Sequence, residues 1–125
     1  MNKILLFLSY GVVLPKTELF EVAQRHNTTD TYGLIYSHGL EYYPVGNQNY
    51  SSNLVVGTCR MVAMDYEALY LSDDLDIKSF RLTSEQELST LHNLRELGIT
   101  LTPSYLLFQS YIEEDVDGET PTSQG

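Results

Sequence analysis

The sequence has 125 residues, 42% apolar and 19% charged, with seven Lys and Arg against seventeen Asp and Glu and a formal net charge of −10. A chain of this length predicts one compact domain whose core needs neither disulfide bonds nor a structural metal. The acidic balance argues against direct binding of nucleic acid, because phosphate contacts need basic side chains.

The N-terminus reads MNKILLFL, an apolar run shorter than the core of a signal peptide and without a cleavage site of small residues. No apolar stretch approaches the roughly 20 residues that span a bilayer. The single cysteine, Cys59, fits a reducing compartment. We therefore expect a cytoplasmic, soluble protein with no membrane partner.

The first predicted elements are a strand and a helix. The run from Lys3 to Leu8 is apolar without alternation, which predicts a strand covered on both faces. Tyr10 and Gly11 then predict a turn. Thr17 is the candidate N-cap of a short amphipathic helix that would end at Asn27. Its apolar face would contain Leu19, Phe20, Val22 and Ala23.

The next predicted elements are extended. Tyr32 to Tyr36 and Leu40 to Val45 are predicted strands separated by a turn at Gly39. A polar loop from Gly46 to Asn53 follows. Leu54 to Met64 is again extended.

Two helices are predicted in the second half. Asp65 can cap a helix whose inward residues would be Ala68, Leu69 and Leu75. Thr83 and Gln86 form a capping box for the second helix, which Gly98 would end. The apolar stripe of that helix consists of Leu88, Leu91, Leu94 and Leu97.

The chain closes with a predicted strand and a polar tail. Pro103 sets the entry of a strand from Tyr105 to Tyr111. Residues 113–125, EEDVDGETPTSQG, have five acids and almost no apolar content, which predicts a disordered acidic tail after a globular unit over 1–112. The sequence thus predicts an α+β domain with a mixed, partly closed sheet or small barrel and flanking helices.

Three segments resemble the gamma-glutamyl cyclotransferase and AIG2-like family. LLFLSYGVVLP at 5–15 is similar to the family's strand with a Y-G-[ST]-L turn. GLEYYPV at 39–45 and VVGTCRMV at 55–62 are similar to its G-x-Y-P segment and V-x-G-E-x-Y-x-V strand. ALYLSDDLD at 68–76 follows its A-L-x-x-L-D-x-x-E pattern, with Phe80 and Arg81 near the family's Y-x-R. The resemblance covers about residues 4–81.

The chain departs from the family pattern at three positions. Val12 stands where the family has Ser or Thr, Ser72 where it has Leu, and Asp76 where it has the catalytic Glu. Asp for Glu draws the carboxylate back by about one C–C bond, and a displacement of about 1 Å can lower a rate about a hundredfold.

The resemblance implies a cyclotransferase-like fold and cleavage of a gamma-glutamyl amide to 5-oxoproline and an amine, without a cofactor. Asp76 would be the acid/base. Backbone N–H groups from Tyr10 through Gly11 and Val12 to Val13 would hold the substrate carboxylate or the oxyanion. Arg81 would steady Asp76 or bind a substrate carboxylate.

The same residues also fit structural roles that involve neither catalysis nor substrate binding. Asp76 fits a solvated helix end, and Tyr10 with Gly11 fits a plain turn that ends a strand. Arg81 fits an exposed partner of Asp73 and Asp74.

Other residues favour structural roles. The three histidines, His26, His38 and His92, lack metal-ligand spacing, so no metal is expected. Cys59 lies in an apolar strand and is interpreted as a buried, inert thiol. Tyr42 and Tyr43 favour packing in a sheet over stacking on a ligand, and the leucine stripe favours core over a partner groove.

The rival hypothesis is a binding protein. The segment 65–87 has seven acids against Lys78 and Arg81, and the tail adds five. Patches formed by these acids could engage a basic protein surface, such as the nucleic-acid groove of a partner, with binding that weakens as salt rises. They also fit a solvated helix end and a solubilising tail.

Overall fold

The computed structural model describes residues 2–71 and 80–113. Their strands are β1 (Asn2–Pro15), β2 (Glu41–Pro44), β3 (Gly46–Asn47), β4 (Asn53–Met64) and β5 (Ser104–Glu113). Their helices are α1 (Lys16–Arg25), α2 (Thr31–Ser37), α3 (Asp65–Leu71) and α4 (Ser84–Leu97). None of the helices within these ranges has the length and apolar character needed to cross a membrane.

The five strands form one sheet in the order β2-β4-β1-β5-β3. All pairs are antiparallel except β3 with β5, so the sheet is mixed. Only Val45 separates β2 from β3, although these strands lie at opposite ends of the order. Because two consecutive Cα–Cα steps span at most roughly 7 Å, the sheet must curl until its ends approach each other. The predicted α+β domain with a mixed, partly closed sheet is confirmed.

Alternate side chains of β1 point to opposite faces of the sheet and pack in two separate apolar layers. Val12 and Leu14 pack with residues of α1, α2 and α4 outside the curl. Phe7 belongs to the inner layer, where its ring stacks on Tyr43 at a centroid distance of 4.1 Å and on Phe108 at 5.4 Å. Since β1 is separated from β2 by β4, the contact of Phe7 with Tyr43 follows from the curl.

The predicted turn at Tyr10 and Gly11 is wrong, because β1 continues through both residues to Pro15. Gly11 lies directly opposite Gly57 of β4. A Cβ at position 11 would lie 2.2 Å from the carbonyl oxygen of Val56. The glycine therefore permits close approach of two strands and does not reverse the chain.

The predicted strand from Tyr32 to Tyr36 is also wrong, because these residues lie in α2. The Asp30 side chain accepts a hydrogen bond from the backbone N–H of Gly33 (3.0 Å), which caps this helix. Ile35 is fully buried on its inner side. The cap and this anchor outweigh the strand preference of tyrosine and isoleucine.

Helix α1 is confirmed, with two differences. It begins directly after Pro15, which occupies the N-cap position without a side-chain bond, and not after Thr17. Phe20 is exposed, whereas Leu19 and Val22 are buried. The predicted helix at Asp65 is present as α3, with Ala68 buried; Leu75 lies outside the described residues.

Helix α4 has the predicted capping box at Thr83 and Gln86, and Gly98 ends it at φ 91°. The predicted leucine stripe is only partly confirmed. Leu94 and Leu97 are buried, but Leu88 is exposed. The buried side of the helix includes Thr90, whose hydroxyl lies 2.7 Å from that of Thr58 on β4.

Candidate functional site

Part of the predicted site is not described by the structure. Asp76, predicted as the acid/base, lies outside the described residues, as do Asp73, Asp74 and residues 114–125 of the acidic tail. The described part of the predicted site consists of Tyr10, Gly11, Val12, Val13 and Arg81.

The predicted binding loop from Tyr10 to Val13 is a segment of β1. Tyr10 and Gly11 pair with β4 on one side and with β5 on the other. Backbone N–H groups of a strand with neighbours on both sides donate to those neighbours. The N–H groups of Tyr10 and Gly11 are thus committed to the sheet and do not form a cradle for an anion, whereas Val12 and Val13 pair with β4 alone. The side chain of Val12 is buried in the core, and that of Val13 is exposed on the opposite face.

The structure brings Tyr10 and Arg81 together at Tyr105. Tyr10 and Tyr105 are partners in the β1–β5 pair, and their ring centroids lie 4.8 Å apart. The guanidinium carbon of Arg81 lies 4.7 Å from the centroid of the Tyr105 ring. This distance is within the range of a cation–π contact. The side chains of two residues predicted to bind substrate therefore converge on one aromatic ring, although the role predicted for Tyr10 was that of its backbone N–H.

Glu87 supplies a carboxylate at the same place. The hydroxyl of Tyr105 donates a hydrogen bond to Oε2 of Glu87. Glu87 lies in the first turn of α4, and the capping box at Thr83 stabilises that turn. We refer to Tyr10, Arg81, Glu87 and Tyr105 as the Tyr105 cluster.

One backbone hydrogen bond and one aromatic contact hold the Tyr105 ring in place. The backbone N–H of Leu82 donates to the Tyr105 hydroxyl (3.2 Å). Phe80 is buried and meets the Tyr105 ring edge to face at 5.7 Å. The guanidinium carbon of Arg60 lies 5.2 Å from the centre of Phe80. Residues 80–82 thus run past the cluster before α4 begins.

The electrostatics of the cluster keep the Tyr10 phenol protonated. Burial raises the pKa of Tyr10, and the nearby Glu87 and Tyr105 raise it further. The Tyr10 hydroxyl makes no hydrogen bond with another residue of the ranges 2–71 and 80–113. Within the same ranges, Arg81 forms no ion pair.

A second polar group lies in the inner layer of the curl. The Ser9 hydroxyl is 3.2 Å from Sγ of Cys59, and Oε1 of Glu41 accepts the backbone N–H of Cys59 (3.1 Å). Burial raises the pKa of the Cys59 thiol to about 11, with a smaller upward contribution from Glu41 and an opposing one from the Ser9 hydrogen bond. This thiol is mostly protonated near neutral pH. The predicted burial of Cys59 is only partly confirmed, because its exposure is intermediate.

The histidines have structural partners. Nε2 of His26 donates to the carbonyl oxygen of Leu97 (3.1 Å), and Nδ1 of His38 lies 3.0 Å from that of Leu34. His92 is exposed on α4. In the part of the chain that the structure describes, no three His, Cys, Asp or Glu side chains are grouped so as to hold a metal ion.

Sequence reasoning missed Glu87 and Tyr105. Both lie in elements that were predicted, but their contact depends on how β5 is registered against β1 and on where α4 docks. The one local signal was the capping box, which places Glu87 in the first turn of a helix. No local sequence pattern predicts that Tyr105 is the hydrogen-bond partner of the Glu87 carboxylate.

Comparison of the chain with family models, with curated proteins and with solved structures gave no match. The resemblance to the cyclotransferase family therefore stays a prediction that depends on the segments named above.

Proposed function

We propose that this protein is a gamma-glutamyl cyclotransferase-like enzyme whose reaction takes place at the Tyr105 cluster. Its substrate is a gamma-glutamyl amide, and its products are 5-oxoproline and an amine. The observation that supports this proposal best is the convergence of a cation, a phenol and a carboxylate on Tyr105, through Arg81, Tyr10 and Glu87.

The reaction needs one proton acceptor and no external nucleophile. A carboxylate removes a proton from the substrate's α-ammonium group, and the resulting amine attacks the γ-carbonyl carbon. A C–N bond forms and closes a five-membered lactam, while the C–N bond to the leaving amine breaks. The carboxylic acid gives this proton to the leaving nitrogen, and the second proton, which the ring nitrogen loses as it becomes a lactam N–H, passes through the regenerated carboxylate to the released amine. The amine leaves as an ammonium ion, so the protons balance and the enzyme ends the cycle unchanged.

Each polar side chain of the cluster has a role in this scheme. Arg81 binds the substrate's α-carboxylate, because a guanidinium matches the two oxygens of a carboxylate. Glu87 is the proton acceptor and donor. Tyr10 donates a hydrogen bond to the carbonyl oxygen as negative charge develops on it, a role that requires a protonated phenol. Its raised pKa supports this role.

The test is production of 5-oxoproline from gamma-glutamyl-alanine by the full chain, measured by mass spectrometry. Glu87→Gln removes the proton acceptor but keeps the shape of the side chain. We expect it to lower the rate at least about a hundredfold, the lower end of the range for a lost acid/base group. Glu85→Gln is the matched control, because Glu85 lies in the same turn of α4 and is exposed. It should leave the rate unchanged.

Asp76→Asn distinguishes the two candidate acid/base residues. If it abolishes product while Glu87→Gln does not, the acid/base is Asp76 and the assignment to Glu87 is wrong. If the wild-type chain gives no more product than buffer alone, the enzyme proposal is wrong. Binding to a basic protein surface then stays as the other prediction.

A further inference from the structure

A cavity of about 280 Å³ lies between the start of α1, the start of α2 and the strands β2 and β4. It is separate from the Tyr105 cluster, because none of the four residues of that cluster lines it. Its residue Leu54 pairs with Leu14, four residues along β1 from Tyr10. Its floor is apolar and consists of the buried side chains of Leu19 and Leu54.

Aromatic side chains form the wall and the rim of this cavity. Tyr32 and Tyr42 meet edge to face at a centroid distance of 5.0 Å. Phe20 and Tyr32 also line the cavity, although 55% and 53% of their surface is exposed. Large aromatic side chains that stay exposed around a concave site indicate a surface for a ligand.

The ring of Tyr32 is held in position before any ligand arrives. Its hydroxyl donates to the hydroxyl of Tyr36 (3.0 Å), and the two rings lie 4.5 Å apart one helical turn from each other. With Tyr42 on another side, Tyr32 has aromatic neighbours in two directions. A wall of this kind loses little side-chain entropy on binding.

Two opposite charges border the cavity. Asp30 uses Oδ1 to cap α2, and its Oδ2 accepts no hydrogen bond within residues 2–71 and 80–113. Lys16 is exposed at the first position of α1, and it forms no ion pair with Asp30. The Asp30 charge reaches the aromatic wall, since after burial it is one of the causes that raise the pKa of Tyr42.

We propose that this cavity binds a zwitterionic small molecule of the size of a free α-amino acid with an apolar side chain. The ammonium group lies at Asp30 and the tyrosine rings, where a carboxylate and aromatic faces both attract a cation. The carboxylate pairs with Lys16, and the apolar side chain lies on Leu19 and Leu54. A simple cation would be repelled by Lys16 and a simple anion by Asp30, so the two charges together select a zwitterion.

The test is an NMR titration of the full chain, labelled with ¹⁵N, at pH 6.0 with three probes. L-Phenylalanine carries both charges, L-phenylalaninamide lacks the carboxylate and 3-phenylpropionate lacks the ammonium group. We expect saturable shifts at Lys16, Asp30, Tyr32 and Leu54 with L-phenylalanine. Each analogue should bind on the order of tenfold more weakly, the loss typical of one charge-assisted hydrogen bond.

Two substitutions assign the charges. Asp30→Asn keeps a side-chain oxygen for the cap of α2 but removes the negative charge. It should weaken L-phenylalanine about tenfold and leave 3-phenylpropionate unchanged or better bound. Lys16→Gln should weaken 3-phenylpropionate and spare L-phenylalaninamide. Tyr50→Ala is the control, because Tyr50 is 80% exposed and lies outside this cavity.

The proposal does not depend on the cyclotransferase reaction, and it can fail separately. Equal affinity of the wild type for the three probes would mean binding by the apolar ring alone and would overturn it. Absence of saturable shifts with L-phenylalanine in the millimolar range would do the same. The comparison of probes uses only the wild-type chain, so a misfolded variant does not remove the test.

Discussion

Gly11 and Gly57 face each other across the β1–β4 pair, and each occupies space that a methyl group could not. A Cβ on Gly11 would lie 2.2 Å from the Val56 carbonyl oxygen, and one on Gly57 would lie 2.3 Å from that of Tyr10. Both overlaps are with backbone atoms, which cannot rotate away as a side chain can. These two glycines belong to the two segments that carried much of the family resemblance, and their requirement here is steric.

We expect Gly11→Ala to lower the free energy of unfolding by roughly 1–3 kcal/mol, the range for overpacking. Denaturation in urea, followed by circular dichroism, measures this change. Val13→Ala is the control, because Val13 lies in the same strand, pairs with the same neighbour and has an exposed side chain. A Gly11→Ala protein as stable as the Val13→Ala protein would show that the two strands separate without cost.

Cys59 should react slowly with iodoacetamide. Burial raises its pKa from 9.0 to about 11, so at pH 8 its thiolate fraction is about a hundredfold smaller than that of an ordinary thiol. Because a thiolate of higher pKa is also a stronger nucleophile, we expect labelling at least about tenfold slower in the folded protein than in the same protein unfolded in urea. Mass spectrometry measures the rate, and Cys59→Ser shows the background.

The same pKa shift has a defined sign for stability. The folded state holds the thiol proton more tightly than the unfolded state, so its contribution is complete below pH 9.0 and is lost as pH rises toward about 11. Equal labelling rates in the folded and unfolded protein at pH 8 would contradict both the partial burial of Cys59 and the direction of this shift.

At the scale of elements, local signals predicted what local interactions determine. Helix α4 has its cap at Thr83, its partner Gln86 and its end at Gly98 within one stretch of sequence, and the structure has all three. Helix α2 was predicted as a strand, because tyrosine and isoleucine favour strands in the absence of other information. Its cap, Asp30 with Gly33, is a single hydrogen bond that short polar residues also make in turns.

The candidate site was predictable only in part for the same reason. Tyr10 and Arg81 were singled out from the sequence, and the structure brings both to Tyr105. The carboxylate that contacts the same tyrosine, Glu87, is 18 residues from Tyr105 and 77 from Tyr10. A contact of this kind is set by strand register and helix docking, which no local pattern encodes.

At the scale of the whole molecule, the curl of the sheet decides which polar groups become buried. The sequence predicted a partly closed sheet and a polar loop from Gly46 to Asn53. That loop contains β3, which pairs in parallel with β5 at Ser110 and Tyr111. Its pairing continues in Gln48, whose backbone N–H donates to the carbonyl oxygen of Tyr111 (2.8 Å). The polar composition of the loop thus reflects hydrogen bonds at the far edge of the sheet.

The side chain of Gln48 makes the last of these contacts, and it provides a test of the closure. Its Nε2 donates to the hydroxyl of Ser110 (3.0 Å), which is fully buried. Gln48→Ala leaves that hydroxyl without this partner, so we expect a loss of about 1–3 kcal/mol in the free energy of unfolding. Adding Ser110→Ala to the Gln48→Ala chain removes the hydroxyl that has lost its partner, and it should restore part of the lost free energy of unfolding. Urea denaturation of the two single variants and the double variant gives the coupling energy, expected at about 1 kcal/mol. Strictly additive losses would mean that the hydrogen bond does not hold β3 against β5, and that the backbone pairing alone closes the sheet.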